Sequence, residues 1–184
     1  MQLVDPQPRF RASFLEAVDE YVAEGDTRFT GLVSWPAEGD FPGIEFTAET
    51  VDSDEGFLLF TDYLVAQREP DAPRPPAFVP ATIKWLGEGD TYLGTISLRH
   101  ELTPPLLAWG GHIGYGVRPS ARRRGHATAA LAAMLPVAAA RGIGEVLVTC
   151  DVDNVASKRV IERNGGVYED TREGKLRFWV PTHG

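Results

Sequence analysis

The chain has 184 residues, enough for one well-filled hydrophobic core and too few for two ordinary domains. Its formal net charge of −8 argues against nucleic acid as the main partner, and its single cysteine excludes an internal disulfide framework. The sequence has no apolar run of about eighteen residues and no leader pattern, so we expect a cytoplasmic protein with no membrane partner, formed by one domain over residues 1–184.

The first part of the chain predicts two helices ahead of the main sheet. Apolar residues at helical spacing mark both of them, while glycine and proline punctuate the segments between. In chain order we predict a helix over residues 8–24, a loop over residues 29–46, a helix from a cap at Asp52 or Ser53 to about Gln67, and a stiff extended connector over residues 70–76.

The remainder alternates strands with helices. We predict strands over residues 82–86 and 92–99 as a hairpin, a proline-broken connection over residues 101–107, a strand over residues 113–117, an alanine-rich helix from Ala127 that Gly142 and Gly144 end, a strand over residues 146–150, a helix from Asn154 to Asn164, and a closing hairpin of residues 167–171 and 176–180. Residues 146–150 form a continuous apolar run, which is typical of a buried parallel strand. The sum is an α/β fold with a mixed sheet and helices on both faces.

The stretch from Gly110 to Leu131 predicts an anion site. Strand periodicity around Tyr115 gives way to three arginines and Gly125, and an alanine-rich helix follows. The first amides of a helix have no intrahelical partner and lie at the positive end of its dipole. Because glycine lets a ligand approach the backbone closely, this turn is expected to bind a phosphate group.

Two motifs around this turn resemble those of the GNAT superfamily of acetyl-CoA-dependent N-acetyltransferases. Arg122-x-x-Gly125-x-Ala127 resembles the pyrophosphate loop of that family, and the preceding Ile113-Gly114-Tyr115-Gly116-Val117-Arg118-Pro119 resembles its fourth strand. Asn154-Val155-Ala156-Ser157, followed by Glu162-Arg163-Asn164-Gly165, resembles a later helix motif of the same family. The resemblance covers about residues 82–180 and implies a GNAT-like, mostly antiparallel central sheet.

For function, the resemblance implies acetyl-CoA as co-substrate and direct transfer of its acetyl group to an amine in a ternary complex. The residues that the turn and the resemblance together indicate for cofactor binding are Val117, Arg122, Arg123, Arg124, Gly125, His126, Ala127, Thr128, Asn154 and Ser157. For Asn154 and Ser157 an ordinary helix cap is an equal alternative. The resemblance also implies that a homodimer is possible.

The residues that move protons remain open alternatives. Relatives often have a tyrosine acid at the position of Ile161, which cannot donate a proton. The substitute candidates are Tyr115, Tyr168, Cys150 or a water, and for Tyr115 a structural role in the core is the favoured alternative. The position of His112 often holds a glutamate in the family. An imidazole with a pKa near 6.5 can accept a proton at neutral pH, although a satisfied core histidine is equally expected. Glu101, just after a strand, is a second choice for the base.

The acceptor is expected to be the amine of a small molecule or a peptide. A lysine-like amine of pKa about 10.4 is neutral only ~1 time in 2,500 at pH 7, whereas an α-amine near 8 loses only about tenfold, so a missing base favours an α-amine. The four histidines and one cysteine lack metal-ligand spacing, so we expect no metal. The alternative function is a catalytically silent acyl-CoA-binding sensor or interaction module, motivated by Ile161.

Overall fold

The structure, a computed structural model, describes residues 1–26 and 30–183. Its strands are β1 (Gln2–Val4), β2 (Val33–Trp35), β3 (Ile44–Phe46), β4 (Ala81–Glu88), β5 (Thr91–Arg99), β6 (Ile113–Val117), β7 (Glu145–Asp151), β8 (Val167–Arg172) and β9 (Lys175–Pro181). Its α-helices are α1 (Arg11–Ala23), α2 (Asp54–Ala66), α3 (His126–Ala139) and α4 (Val155–Arg163). Shorter helical turns occupy Pro8–Phe10, Thr50–Asp52, Leu106–Gly110 and Pro119–Ala121.

Seven of the strands form one sheet in the order β1–β4–β5–β6–β7–β9–β8. Every neighbouring pair is antiparallel except β6 and β7, which are parallel and pair only at Ile113 and Val148. The sheet therefore opens beyond Ile113, and β6 has no strand partner on the β7 side from Gly114 to Val117. The predicted mixed, mostly antiparallel sheet is confirmed. The predicted buried strand over residues 146–150 is present in β7, but it is parallel to β6 at one pair only and antiparallel to β9 along its whole length.

Helices cover both faces of the sheet, as predicted. On one face α3 and α4 bury Leu131, Met134 and Ile161 completely against the sheet. On the other face α1 and α2 form an aromatic core with β4 and β5, in which the rings of Phe14 and Trp85 stack at 5.3 Å. The chain forms two cores, one on each face of the sheet, because successive side chains of a strand point to opposite faces.

The helices begin where the sequence predicts caps. The Ser53 hydroxyl accepts a hydrogen bond from the Gly56 amide at the start of α2, and the Asn154 side chain accepts one from the Ser157 amide at the start of α4. At α3 the capping residue is Gly125, whose φ of 82° lies in the left-handed region that glycine adopts without strain. No side chain caps that helix.

Four segments differ from the sequence predictions. The N-terminal strand β1 was not predicted, and the predicted loop over residues 29–46 contains the β2–β3 hairpin, while Phe29 itself lies outside the described residues. The connection over residues 101–107 leads into the π-helical turn Leu106–Gly110. The proline-rich connector is folded rather than extended, since the Arg74 guanidinium donates to Pro70 O at 2.8 Å.

Candidate active site

A groove of about 450 Å³ lies where β6 ends, beside the N-termini of α3 and α4. The sides of this groove come from three segments that are distant in sequence: the end of β6, the turn before α3 with the first residues of that helix, and one face of α4 with its cap. Its lining residues are Tyr115, Gly116, Val117, Ala121, Arg122, Arg123, Gly125, His126, Ala127, Thr128, Asn154, Ala156, Ser157, Arg159, Val160 and Arg163. All the predicted cofactor-binding residues except Arg124 are thus brought together in one place.

Six consecutive backbone amides, those of residues 123–128, open onto the turn without a protein partner. Among the described residues no carbonyl or side chain accepts from them, and the first amide bonded within the helix is that of Ala129, to Gly125 O at 3.0 Å. Arg123 and Gly125 both have positive φ, at 62° and 82°. Successive amides in such a turn form a concavity that binds anions, and the helix dipole adds positive potential.

Buried ion pairs to α1 hold this turn in place. Arg118 is 6% exposed, and its guanidinium donates to Glu20 Oε1 at 2.5 Å and to the Ser13 hydroxyl at 2.9 Å. Glu20 also accepts from the Ser120 amide at 2.9 Å. Burial alone would raise the pKa of Glu20, but the hydrogen bonds from Arg118 and Ser120 lower it to about 2. The turn is therefore pre-organised before any ligand arrives.

The arginines of the groove divide into anchored and free side chains. Arg122 is anchored, since its guanidinium pairs with Glu24 at 2.7 Å and donates from Nε to Val117 O at 3.1 Å. Arg123, Arg159 and Arg163 line the groove and have no ion pair among the described residues. Sequence reasoning missed Arg159 and Arg163, although their spacing of four residues places both on one face of α4.

Tyr115 joins the sheet to α4 inside the groove. Its hydroxyl lies 2.8 Å from the Ser157 hydroxyl, and the Ser157 amide is in turn held by Asn154. Burial raises the pKa of Tyr115 to about 12, although the hydrogen bond to Ser157 lowers it in part. Ile161 is fully buried in the core beneath this helix and does not line the groove.

His112 is buried immediately before β6, it does not line the groove, and its one ring acceptor is already hydrogen-bonded. Its Nδ1 accepts a hydrogen bond from the Leu147 amide at 2.9 Å, so the neutral ring carries its proton on Nε2 and has no free lone pair. Burial, together with the nearby Arg99 charge, lowers the pKa of His112 to about 4. Glu101 is exposed beyond the end of β5 and does not line the groove.

Residues 1–26 and 30–183 contain neither a candidate metal site nor a candidate membrane-spanning helix. In that part of the chain no group of three or more histidine, cysteine, aspartate or glutamate side chains is placed to hold a metal ion. No helix there combines the length and apolar character that crossing a bilayer requires.

Comparison with known proteins relates the chain to a family. The model of the acetyltransferase (GNAT) domain matches residues 45–167, which is more than half of the chain. No curated protein matches the chain.

Three solved structures are similar over nearly the whole chain. Mycobacterium smegmatis RimJ, in complex with CoA-disulfide, is 16% identical with a TM-score of 0.62 and matches over 97% of this chain and 80% of its own. The microcin C7 self-immunity acetyltransferase MccE, in complex with acetyl-CoA and AMP, is 14% identical with a TM-score of 0.60, over 97% and 91%. RimL, a ribosomal L7/L12 alpha-N-protein acetyltransferase, is 19% identical with a TM-score of 0.56, over 97% and 88%. At these identities the likeness shows a shared fold.

Proposed function

Because the chain belongs to the GNAT family of acetyltransferases, we propose that it transfers the acetyl group of acetyl-CoA directly to an acceptor α-amine in a ternary complex. The family establishes acetyl transfer as the general activity, and the prediction of an N-acetyltransferase is confirmed at that level. The acceptor, the direct transfer and the residue roles below are our proposal. So are the assignment of residues 1–184 to one domain and a cytoplasmic location.

The observation that supports the cofactor site best is the run of free amides over residues 123–128. A hydrogen bond to a charged group contributes about 1.5–3 kcal/mol, so three or four of these amides would bind a diphosphate strongly. The free guanidinium groups of Arg123, Arg159 and Arg163 add positive charge along the same groove. These residues suit the diphosphate of CoA in charge and in hydrogen-bond donors.

The opening between β6 and β7 is suited to the acyl end of the same molecule. From Gly114 to Val117, β6 has no strand partner on the β7 side, so its backbone groups are available to an extended ligand. In our proposal an amide there donates to the thioester oxygen as negative charge develops on it. A thioester is already activated, and positioning of donor and acceptor supplies much of the rate.

We propose that the hydrogen-bonded pair of Tyr115 and Ser157 donates its one free hydroxyl proton in a hydrogen bond to the departing sulfur. Full proton transfer from Tyr115 is unfavourable: a pKa of about 12 stands roughly 3.5 units above that of an ordinary thiol, which corresponds to roughly 4.8 kcal/mol. The proton is better supplied by the acceptor nitrogen, which becomes strongly acidic once it is bonded to the acyl carbon. The hydroxyl pair then stabilises the leaving sulfur without ionising.

The acceptor is proposed to be an α-amine because neither of the two bases that the sequence predicted, His112 and Glu101, offers a free lone pair in the groove. His112 has its only lone pair occupied, and Glu101 lies outside the groove. Without a base a lysine-like amine has a handicap of roughly 4.6 kcal/mol at pH 7, against roughly 1.4 kcal/mol for an α-amine. RimL, described as an alpha-N-protein acetyltransferase, shows that this fold can host such a reaction.

A thiol-release assay tests the proposal. The protein is incubated with acetyl-CoA and a panel of α-amines and ε-amines, and free CoA thiol is measured. We expect release that depends on the amine and is faster with α-amines. The alternative, a silent acyl-CoA sensor, is favoured by the burial of Ile161 at the family's tyrosine position. Tight CoA binding without turnover on any amine would support that alternative.

A further inference from the structure

Arg99, at the end of β5, holds a partly buried positive charge that no carboxylate neutralises. In the part of the chain that the structure describes, Arg99 forms no ion pair. Burial lowers the pKa of its guanidinium, and no carboxylate offsets this effect. By contrast, Arg118 and Arg177, the two most buried arginines, each pair with two carboxylates. Since charges are rarely buried without a partner, Arg99 is expected to meet an external anion.

The hydrogen bonds of Arg99 leave one edge of its guanidinium free. Nη1 donates to Gly110 O at 3.0 Å and to Gly111 O at 3.1 Å, which uses both of its protons. Nε and Nη2 have no hydrogen-bond partner among the described residues. Neither of these nitrogens is fully buried, so both are accessible to solvent. The Nε–Nη2 edge presents two parallel N–H groups, the geometry that binds a carboxylate through two hydrogen bonds.

The backbone beside Arg99 is shaped to hold this orientation. Gly111 has a φ of 65°, and a Cβ at that position would lie 2.6 Å from Leu147 O, so only glycine places this carbonyl toward Arg99. On the neighbouring strand a Cβ on Gly114 would lie 3.8 Å from both Nη1 and Nη2. The guanidinium therefore lies beside β6, and the carbonyls of Gly110 and Gly111 hold it there.

Arg99 lies beside β6, the strand along which the acyl group is proposed to bind. The Arg99 guanidinium lies beside Gly114, and Gly116, which is two residues further along β6 and about 7 Å from Gly114 by strand geometry, lines the groove. We propose that Arg99 binds a carboxylate of the acceptor, so that the substrate is an α-amine carrying an acidic group several bonds away. This inference rests on the proposed function.

Matched pairs of acceptors test it. Glutamic acid α-amide and glutamine amide share an α-amine and differ in one carboxylate, as do the dipeptide amides alanyl-glutamate amide and alanyl-glutamine amide. We expect the carboxylate member of at least one pair to have a kcat/KM at least about tenfold higher, through a lower KM. The first pair represents an amino acid derivative as the acceptor, and the second pair represents a peptide.

Variants then assign the preference to Arg99. Arg99→Gln is expected to abolish it while leaving the KM for acetyl-CoA unchanged, and Arg99→Lys to retain part of it. Arg141→Gln removes an exposed arginine at the end of α3 and is expected to leave the preference intact. Equal kcat/KM within both pairs, or a preference that survives Arg99→Gln, would overturn the inference.

Calorimetry separates this inference from the proposed function. CoA is titrated alone to test the groove, and the protein saturated with CoA is then titrated with both dipeptide amides, which requires no turnover. Tighter binding of alanyl-glutamate amide by about tenfold, lost in Arg99→Gln, supports the inference even in a silent protein. Equal binding of the two dipeptides with normal CoA binding refutes the inference alone.

Discussion

Gly125 is the residue at which a negative charge can be added to the proposed diphosphate site with the least disturbance. It caps α3 with a φ of 82°, and no atom lies within 4 Å of a Cβ built on it. A side chain in the left-handed region costs about 1–2 kcal/mol, although asparagine and aspartate tolerate it best. Gly125→Asn and Gly125→Asp therefore share the same backbone strain and nearly the same shape, and differ by one charge.

The size of the effect follows from Coulomb's law. Two unit charges about 5 Å apart repel by roughly 0.8 kcal/mol at an effective dielectric constant of about 80, and by roughly 3.3 kcal/mol at about 20. A diphosphate at this turn presents more than one charge. We therefore expect Gly125→Asp to bind CoA at least about tenfold more weakly than Gly125→Asn, a difference of ~1.4 kcal/mol.

Isothermal titration of CoA into both variants measures this difference, and thermal melting checks that both lose similar stability. The gap in Kd is expected to shrink in high salt, because the Debye length falls from about 10 Å at 0.1 M to about 3 Å at 1 M. Equal affinities of the two variants at low salt would refute the placement of the diphosphate at this turn.

Three further predictions concern the groove and its support. Glu20→Gln is expected to lower the free energy of unfolding at pH 7 by roughly 3 kcal/mol, because the pKa of Glu20 is lowered to about 2. This gap in urea unfolding should narrow as the pH falls from about 4.5 toward 2, since the carboxylate stabilises only while it is ionised; a pH-independent gap would contradict the ion pair with Arg118. Tyr115→Phe is expected to lower kcat less than about tenfold with an unchanged KM for acetyl-CoA, as suits loss of one neutral hydrogen bond, whereas a loss beyond about a hundredfold would indicate proton transfer. The pH profile of kcat/KM should follow the acceptor amine alone, because the pKa of His112 lies at about 4; a second break near pH 6.5 that His112→Gln removes would identify His112 as the base.

Much of the fold was predictable because local signals and tertiary packing agree. Ser53 and Asn154 are strong capping residues, and both cap helices at the predicted places. The strands that failed to be predicted, β1 and the β2–β3 hairpin, are three residues long. In such short segments the alternation of apolar and polar residues that marks a strand cannot be recognised. These strands form because a neighbouring strand supplies their hydrogen-bond partners.

The candidate site was predictable in part. The turn before α3 is one continuous segment, so its spacing alone indicates Gly125 and the free amides around it. Arg159 was missed because its place in the groove depends on how α4 packs against α3. Arg124 shows the converse: it shares the basic turn but does not line the groove.

The sequence by itself determined the order of the four α-helices and of the strands β4 to β9, the family motifs and the anion-binding turn, because each of these depends on residues close together along the chain. Only the tertiary structure decided which side chains are free to act. The Leu147 amide donates to the only free lone pair of the His112 ring, and Arg122 is ion-paired with Glu24. The carbonyls of Gly110 and Gly111 accept from Nη1 of Arg99 and leave its Nε–Nη2 edge free. Whether a polar group is available depends on its partners across the sheet, and the linear spacing of residues does not specify those partners.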